Sequence, residues 1–199
     1  MRGAFVTGTD TDVGKSWVSA WAVKSWGAAY WKPVQSGAVH DADLVRQVAP
    51  EAKIHPSRYA LPDPLSPDQA AKRIGLSIEL SDFTLPRHDG PLVVEGAGGL
   101  MVPLNDRALM IDLIKQIDLP VLLVARSGLG TINHTLLSLA ALRRHGLQAA
   151  GIVMVGAPHP ENRAAIEHFG QVKVVAELPP LPDLAALAAH PPLAWRPNP

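Results

Sequence analysis

The chain has 199 residues, of which 47% are hydrophobic and 18% charged, and its 18 basic and 18 acidic residues leave no net formal charge. This composition excludes general disorder, and the balanced charge argues against nucleic acid or an anionic membrane surface as a partner. The chain contains no cysteine, which excludes disulfides, thiolate zinc sites and cysteine nucleophiles. No apolar stretch reaches the roughly 20 residues of a membrane span, and the N-terminus enters a predicted strand directly, so we expect a cytoplasmic location.

Short apolar runs alternate with helical patterns along the chain. Strands are predicted at residues 4–6, 28–31, 92–94, 121–125, 152–155 and 172–175. Helices are predicted at residues 15–26, 41–48, 67–74, 109–117, 131–145, 161–169 and 183–189. Continuously apolar strands suit a parallel sheet covered on both faces, and the alternation predicts right-handed βαβ crossovers. We therefore predict one doubly wound α/β domain over residues 1–199, with a proline-rich loop at 56–67 and a proline-rich tail at about 190–199.

Residues 8–16 read GTDTDVGKS and lie between the first predicted strand and the first predicted helix. The N–H groups of such a loop and of the helix N-terminus favour negative charge at one place. Lys15 would then reach the β- and γ-phosphates, and the Ser16 hydroxyl could bind Mg²⁺. Five residues separate Gly8 from Gly14, one more than in the common P-loop, and the alternative is a chance surface turn. The strand before the loop and the helix after it favour a site for a nucleoside triphosphate.

Two further polar residues stand where predicted strands end, which is where parallel sheets collect their sites. Lys32 opens the segment KPVQSG and could present a fixed cation, although it could equally be an ordinary solvated lysine. Glu95 ends the apolar run at 92–94 and precedes three glycines. A carboxylate there is typical of an acid that faces Mg²⁺, and the alternative is a cap for the next turn.

Asp41 and Asp43 both fall in the first turn of the second predicted helix. A carboxylate in that turn stabilises the helix macrodipole, and for at least one of the two this is the simpler interpretation. The other could join Ser16 and Glu95 around a magnesium ion, which prefers a few hard oxygen ligands together with phosphates and water.

Together these segments resemble the dethiobiotin synthetase family. Its P-loop variant, GT-x-T-x-VGK-[ST], has the same extra residue, and residues 32–37, 94–100 and 129–137 look like its other signature segments. The resemblance covers roughly residues 3–155. It implies a single P-loop domain that works as a homodimer with its sites near the subunit interface. It also implies an ATP- and Mg²⁺-dependent reaction in which 7,8-diaminopelargonic acid and CO₂ or bicarbonate form dethiobiotin, ADP and phosphate.

The resemblance implies roles for individual residues. Lys15 and Lys32 would be catalytic, and Ser16, Asp43 and Glu95 would hold the metal, with Asp43 preferred to Asp41 because it better matches the family's position before the leucine. The residues expected to hold the diamine or its carbamate are Thr11, Ser36, Gly130, Thr131, Ile132 and Asn133, the last also at the dimer interface. The residues expected to bind the nucleotide with its metal are Asp12, Val13, Gly14, Lys15, Ser16, Asp43, Glu95, Gly96, Ala97, Gly98, Glu177, Leu178 and Pro179.

One departure from the family concerns the base. The family often has an asparagine that contacts adenine where this chain has Val155, whereas the second base-contacting loop is retained at residues 176–179. An apolar side chain cannot make the hydrogen bonds of an amide, so weaker base selectivity is expected.

Two rival functions stay open. A partitioning-type P-loop ATPase usually carries a second lysine early in its loop, as in KGGVGK, where this chain has TDTDV. A non-catalytic nucleotide-sensing module has no need of Lys32. Both rivals are disfavoured by these residues.

Overall fold

The computed structural model describes residues 3–38 and 40–197. The first half of these residues contains β1 (Gly3–Gly8), α1 (Lys15–Trp26), β2 (Ala29–Trp31), β3 (Val34–Ser36), α2 (Asp41–Val48), β4 (Ile54–His55), β5 (Tyr59–Leu61), α3 (Pro67–Arg73) and a 3₁₀ turn (Leu80–Asp82). The second half contains β6 (Leu92–Gly99), α4 (Met110–Ile117), β7 (Val121–Arg126), α5 (Thr131–Arg144), β8 (Ala149–Val155), α6 (Pro160–Gly170), β9 (Val174–Leu178) and α7 (Leu184–Ala189).

Seven strands form a parallel sheet in the order β4-β2-β6-β1-β7-β8-β9. The central strand β1 has β6 on one side and β7 on the other, and the chain builds the sheet outward in both directions from it. This confirms the predicted doubly wound α/β fold. Ligands bind such sheets outside the carboxyl ends of the strands, where the strand order reverses, and the loop after β1 lies there.

The sheet is buried on both faces, which explains why its strands are continuously apolar. On one face α1, α2 and α7 cover side chains such as Val6, Val93 and Leu122. The other face carries the strand residues next to these in the chain, such as Phe5 and Val94. It is covered by α3, α4, α5 and α6. Alternate residues of each strand therefore enter different cores, as the two-residue period of a strand requires.

The predicted and observed elements differ mainly at their ends. The bounds of α1 and α2 agree with the prediction, but β6 continues to Gly99 and β8 already begins at Ala149. The extension of β6 was not predicted because its glycine-rich sequence has no strand pattern. Within it, Gly99 pairs with Gly8 of β1. The two- and three-residue strands β3, β4 and β5 were not predicted, and β5 lies inside the proline-rich segment expected to be a loop.

The proline-rich tail lies along α1. The indole N–H of Trp21 donates to the carbonyl of Pro191 at 2.8 Å, and that of Trp26 donates to the carbonyl of Trp195 at 3.0 Å. Leu193 is buried between these two contacts. Among the described residues, no helix combines the length and apolar character needed to cross a membrane.

Candidate active site

The loop between β1 and α1 has the backbone shape of a phosphate-binding loop. Gly14 caps the helix in a left-handed conformation with φ of 95°, and Asp12 also has a positive φ of 56°. A Cβ atom on Gly8 would lie only 2.7 Å from Val13, so this position needs glycine for space. The helix N-terminus thus points at the end of β1, where an anion is favoured.

Lys15 folds back over this loop, and its ammonium donates to the carbonyl of Asp10 at 2.8 Å. The side chain is largely buried. Burial disfavours the charged form and holds the pKa of the Lys15 ammonium below its ordinary value, although the nearby Glu95 carboxylate opposes this shift. The Lys15 ammonium is therefore a buried positive charge that an anion bound at the loop would stabilise.

Four polar side chains meet at the entrance to α1. Ser16 Oγ lies 2.5 Å from Asp41 Oδ1 and 2.9 Å from Glu95 Oε1, so either carboxylate can accept its proton. The Lys32 ammonium lies 2.5 Å from Asp41 Oδ2 and 3.0 Å from Glu95 Oε1. These contacts bring β2, β6, α1 and α2 to one point. Lys32 is therefore not an ordinary solvated lysine, and Glu95 lies in this cluster.

The charges in this cluster stabilise one another. Burial favours the neutral acid of Asp41, but the Lys32 ammonium and the Ser16 hydroxyl outweigh it and hold the carboxyl pKa below its ordinary value of 3.8. Burial would also deprotonate Lys32, but Glu95 and Asp41 outweigh it and raise the pKa of the ammonium above 10.5. The Tyr30 phenol donates to Glu95 Oε2, and burial next to this carboxylate raises the phenol pKa well above its usual range. At neutral pH, Asp41 and Lys32 therefore stay charged, and the Tyr30 phenol stays neutral.

The two aspartates of the first turn of α2 have different surroundings. Asp43 is exposed and pairs with Arg46 at 2.5 Å, whereas Asp41 contacts both Ser16 and Lys32. Two residues along a helix rotate a side chain by roughly 200°, so the two aspartates of α2 face in nearly opposite directions. The structure therefore places Asp41 at the cluster and Asp43 at the surface, which favours Asp41 over the expected Asp43 as the candidate metal ligand.

A cavity of about 950 Å³ opens above these side chains. The predicted residues that line it are Thr11, Asp12, Gly14, Lys15, Ser16, Lys32, Ser36, Glu95, Ala97 and Gly98. Asp41, the less favoured of the two candidate aspartates, also lines it, and the lining residues without a predicted role are Trp17, Gln35, Leu44, Pro64, Leu65, Ser66, Pro67 and Val102. Gln35 lies inside the KPVQSG motif, so the sequence could have indicated it. Residues 64–67 follow β5, and the pairing of β5 with β3 brings them to the cavity. Val13 is buried behind the loop, and Gly96 lies close to Phe5 and Met110.

The other predicted ligand residues lie outside this cavity. Gly130 caps α5, Thr131 is buried in its first turn and Asn133 is exposed. They flank a smaller depression of about 410 Å³ between the loop after β1 and α5, which His134 and Leu137 line. The structure of one chain does not bring residues 130–133 together with Lys32 and Glu95.

The predicted base-contacting residues also lie apart from the main cavity. Glu177 pairs with Arg163 at 3.0 Å, and the carbonyl of the buried Leu178 accepts the Gly156 N–H at 3.0 Å. Pro179 directly follows β9. Val155 ends the neighbouring strand and lies against the P-loop, because a Cβ atom on Gly14 would come within 2.9 Å of its side chain.

The donor set at the entrance to α1 fits Mg²⁺. The Ser16 hydroxyl and the carboxylates of Asp41 and Glu95 are hard oxygen ligands within reach of one point. In the described part of the chain no three acidic, histidine or cysteine side chains gather as a metal cage. One hydroxyl and two carboxylates leave coordination positions for phosphate and water, which Mg²⁺ usually keeps in nucleotide sites.

Comparison with known sequences finds a family model and several relatives that match most of the chain. A protein-family model described as an AAA domain matches residues 2–188. The chain is 57% identical over 196 residues to the ATP-dependent dethiobiotin synthetase BioD of Paramagnetospirillum magneticum, with 96% of each protein covered. It is 44% identical to the BioD of Agrobacterium fabrum, covering 93% of this chain and 89% of that one. It is also 52% identical to the biotin biosynthesis bifunctional protein BioCD of Bordetella avium, covering 94% of this chain and 41% of that protein.

Solved structures show the same fold at low identity. A ParA family ATPase from Chlorobium tepidum has a TM-score of 0.54 and 13% identity, covering 94% of this chain and 89% of the other. A nucleotide-binding protein from Archaeoglobus fulgidus, in complex with ADP, has a TM-score of 0.55 and 12% identity, covering 94% and 85%. At such identity the likeness shows a P-loop NTPase-like fold and nothing more. The sequence relatives, which match nearly the whole chain, decide the family: the chain belongs to the ATP-dependent dethiobiotin synthetases.

Proposed function

We propose that this protein is a dethiobiotin synthetase of biotin biosynthesis, a cyclo-ligase that forms C–N bonds at the expense of ATP. The observation that carries the proposal is the position of Lys32, a buried cation that lines the same cavity as the P-loop lysine and follows β2, which β6 separates from β1. Binding of a triphosphate alone needs only the P-loop cation. A second fixed cation is useful when another anion must meet the γ-phosphate.

The reaction brings two anions together. One amine of 7,8-diaminopelargonic acid adds to CO₂ and loses a proton, which gives a carbamate. A carbamate oxygen then attacks the γ-phosphorus, and the bond to ADP breaks. The second amine attacks the carbonyl carbon of this mixed anhydride, closes the ureido ring and expels phosphate.

Lys15 and Lys32 would offset the charge that develops during phosphoryl transfer. Contacts within the chain hold both ammonium groups, Lys15 through the loop carbonyl and Lys32 through two carboxylates. Held by Ser16, Asp41 and Glu95, Mg²⁺ would supply additional positive charge to the phosphate oxygens. The cavity residues Asp12, Gly14, Ala97 and Gly98 would shape the cradle through their backbone, and Val13 and Gly96 would support it from behind.

Thr11 and Ser36 are the proposed hydroxyl contacts of the diamine or its carbamate. Both line the main cavity. Ser36 Oγ is buried and has no hydrogen-bond partner within the part of the chain that the structure describes. Buried polar atoms are normally paired, so a bound substrate that supplies the missing partner fits this position.

In this proposal the protein works as a homodimer. Residues 130–133 lie outside the cavity of their own chain, while the helix N-terminus they form suits the distal carboxylate of the substrate. The exposed side chains of Met101 and Leu137 line the smaller depression beside this region, and the exposed Leu129 directly precedes Gly130. An apolar patch beside a binding site supports a partner surface, which would let a second copy complete the substrate site.

The adenine is assigned to the loop at Glu177, Leu178 and Pro179, next to Val155. Small molecules are the proposed partners, rather than nucleic acid or membranes, since the chain has no net charge. The cytoplasm, where biosynthetic substrates occur, is the proposed location.

Product analysis tests the proposal. We expect phosphate release from Mg-ATP to depend on both the diamine and bicarbonate, and mass spectrometry to detect dethiobiotin. A partitioning ATPase or a nucleotide sensor would hydrolyse or bind ATP without any response to the diamine, and that result would overturn the assignment.

A further inference from the structure

We infer that Tyr30 is a positioning residue for the magnesium site, because its phenol fixes the orientation of the Glu95 carboxylate. The inference rests on the proposed function only through the metal site. It concerns a residue outside the phosphate loop and outside the signature segments.

The sheet places Tyr30 behind the site. Tyr30 of β2 pairs with Val93 of β6. Because side chains alternate along a strand, Glu95 and Lys32, each two residues further on, point to the same face as Tyr30. This is the face covered by α1 and α2, where Tyr30 is completely buried.

The two oxygens of Glu95 have different neighbours. Oε1 faces the site and contacts Ser16 at 2.9 Å and Lys32 at 3.0 Å. Oε2 points away from the site and accepts the Tyr30 phenol at 3.0 Å. The terminal torsion of a glutamate is soft, so a contact to each oxygen is needed to fix the carboxylate plane.

Glu95 itself has no exposed surface, so water from outside cannot replace a lost donor at Oε2. A phenylalanine at position 30 would keep the ring packing but leave this charged acceptor unpaired. The carboxylate would then rotate toward other donors or bind its cation less well. Groups that orient a metal ligand in this way typically change metal affinity by about 10- to 100-fold when removed.

The test compares Tyr30→Phe with a matched control. Tyr59 is the other tyrosine of the chain, and its phenol also contacts a carboxylate, that of Asp82, away from the cavity. Magnesium is titrated into the full-length protein with ADP, and binding is followed by calorimetry. We expect Tyr30→Phe to raise the Mg²⁺ concentration for half-maximal ADP binding by about 10-fold or more, and Tyr59→Phe to leave it unchanged.

The KM for the diamine distinguishes a positioning role of Tyr30 from general damage to the fold. At saturating Mg²⁺, Tyr30→Phe is expected to keep the wild-type KM for the diamine, because the phenol touches Glu95 and not the substrate cavity. A folded Tyr30→Phe protein with an unchanged Mg²⁺ midpoint would overturn the inference. Wild-type ADP binding that ignores Mg²⁺ would overturn both the metal site and this inference, whereas missing diamine-dependent turnover would overturn the proposed function alone.

If Tyr30→Phe does not fold, a double variant decides the question. Glu95→Gln replaces the carboxylate that accepts the phenol by an uncharged amide, so Tyr30→Phe combined with Glu95→Gln should regain a cooperative thermal transition. A double variant that stays unfolded would show that the Tyr30 phenol does not act through Glu95, and it would overturn the inference.

Discussion

Lys32 Nζ lies 2.5 Å from Asp41 Oδ2, and this contact joins the end of β2 to the first residue of α2. The side chains are only 9% and 26% exposed. Removing one partner of such a pair leaves a charge that water stabilises poorly, which typically costs about 3–5 kcal/mol. The same ammonium also contacts the buried Glu95, so one cation balances two carboxylates.

Replacing Lys32 by methionine should lower the free energy of unfolding in a pH-dependent way. The folded-state pKa of Asp41 lies below its ordinary value, so its stabilising contribution is complete above pH 3.8 and is lost as the pH falls through the lower folded-state value. Without Lys32, burial dominates and ionised Asp41 destabilises the fold. The difference between wild type and Lys32→Met should therefore be largest near pH 7 and shrink toward pH 4, as measured by denaturant titration.

The alkaline side of this profile has the opposite sign. The folded-state pKa of Lys32 lies above 10.5, so its contribution is complete below that pH and is lost as the pH rises through the higher folded-state value. Lys115→Met, at an exposed position of α4, serves as the control and should show little pH dependence. A constant difference between Lys32→Met and wild type from pH 4 to pH 7 would contradict this electrostatic role.

Asp41→Asn should raise the Mg²⁺ concentration needed for half-maximal activity, and Asp43→Asn should not. Asp41 offers its carboxylate to the site, whereas Asp43 pairs with Arg46 at the surface. The two variants remove the same charge from the same helix, so they control for each other. Glu95→Gln should behave like Asp41→Asn, and equal effects of Asp41→Asn and Asp43→Asn on the Mg²⁺ requirement would refute the structural choice.

Much of the fold was predictable because both sheet faces are covered. Continuous apolar runs predict the central strands, and the predicted bounds of α1 and α2 agree with the structure. The short strands β3 and β5 were not predictable, since three residues carry no period and their pairing joins Val34–Ser36 to Tyr59–Leu61 over a long separation.

The site was predictable where one motif carries the chemistry. Lys15 and Ser16 follow from the loop sequence, and Lys32 and Glu95 from their positions at strand ends. The choice of Asp41 depends on which way the first turn of α2 faces, and the sequence pattern offered two carboxylates there. Tyr30 gave no sequence signal, because a buried aromatic residue in a strand is usually part of the core.

Lys15→Ala should lower turnover by roughly 10²-fold or more while the fold survives, because its ammonium is needed where charge develops on the γ-phosphoryl group. Phosphate release and a thermal melt measure the two properties separately. Lys115→Ala removes an exposed helical lysine and should keep wild-type turnover. Near-native turnover of folded Lys15→Ala would mean that this loop is not the catalytic cradle.

Leu137→Asp should convert the proposed homodimer to monomers and reduce turnover. Leu137 is 62% exposed on α5, close to the helix start at residues 130–133 that is assigned to the substrate of the other copy. Light scattering after size exclusion gives the mass, and the diamine KM reports the shared site. A monomeric wild type with full activity would remove the dimer from the proposal.

Val155→Asn should sharpen the preference for ATP. Val155 lies next to Gly14 of the P-loop, and its side chain cannot make the hydrogen bonds that an amide offers a base. A lost hydrogen-bond pair is worth on the order of 1–3 kcal/mol, so the wild type should discriminate among ATP, GTP and CTP about 10- to 100-fold less than Val155→Asn does. The measurement is kcat/KM for each nucleotide in both proteins, with Val153→Ala, a change buried deeper in the same strand, as the control for altered packing. Nucleotide binding through the phosphates should persist in all three proteins, since the P-loop is untouched. Strong ATP selectivity in the wild type that the asparagine leaves unchanged would show that other groups read the base.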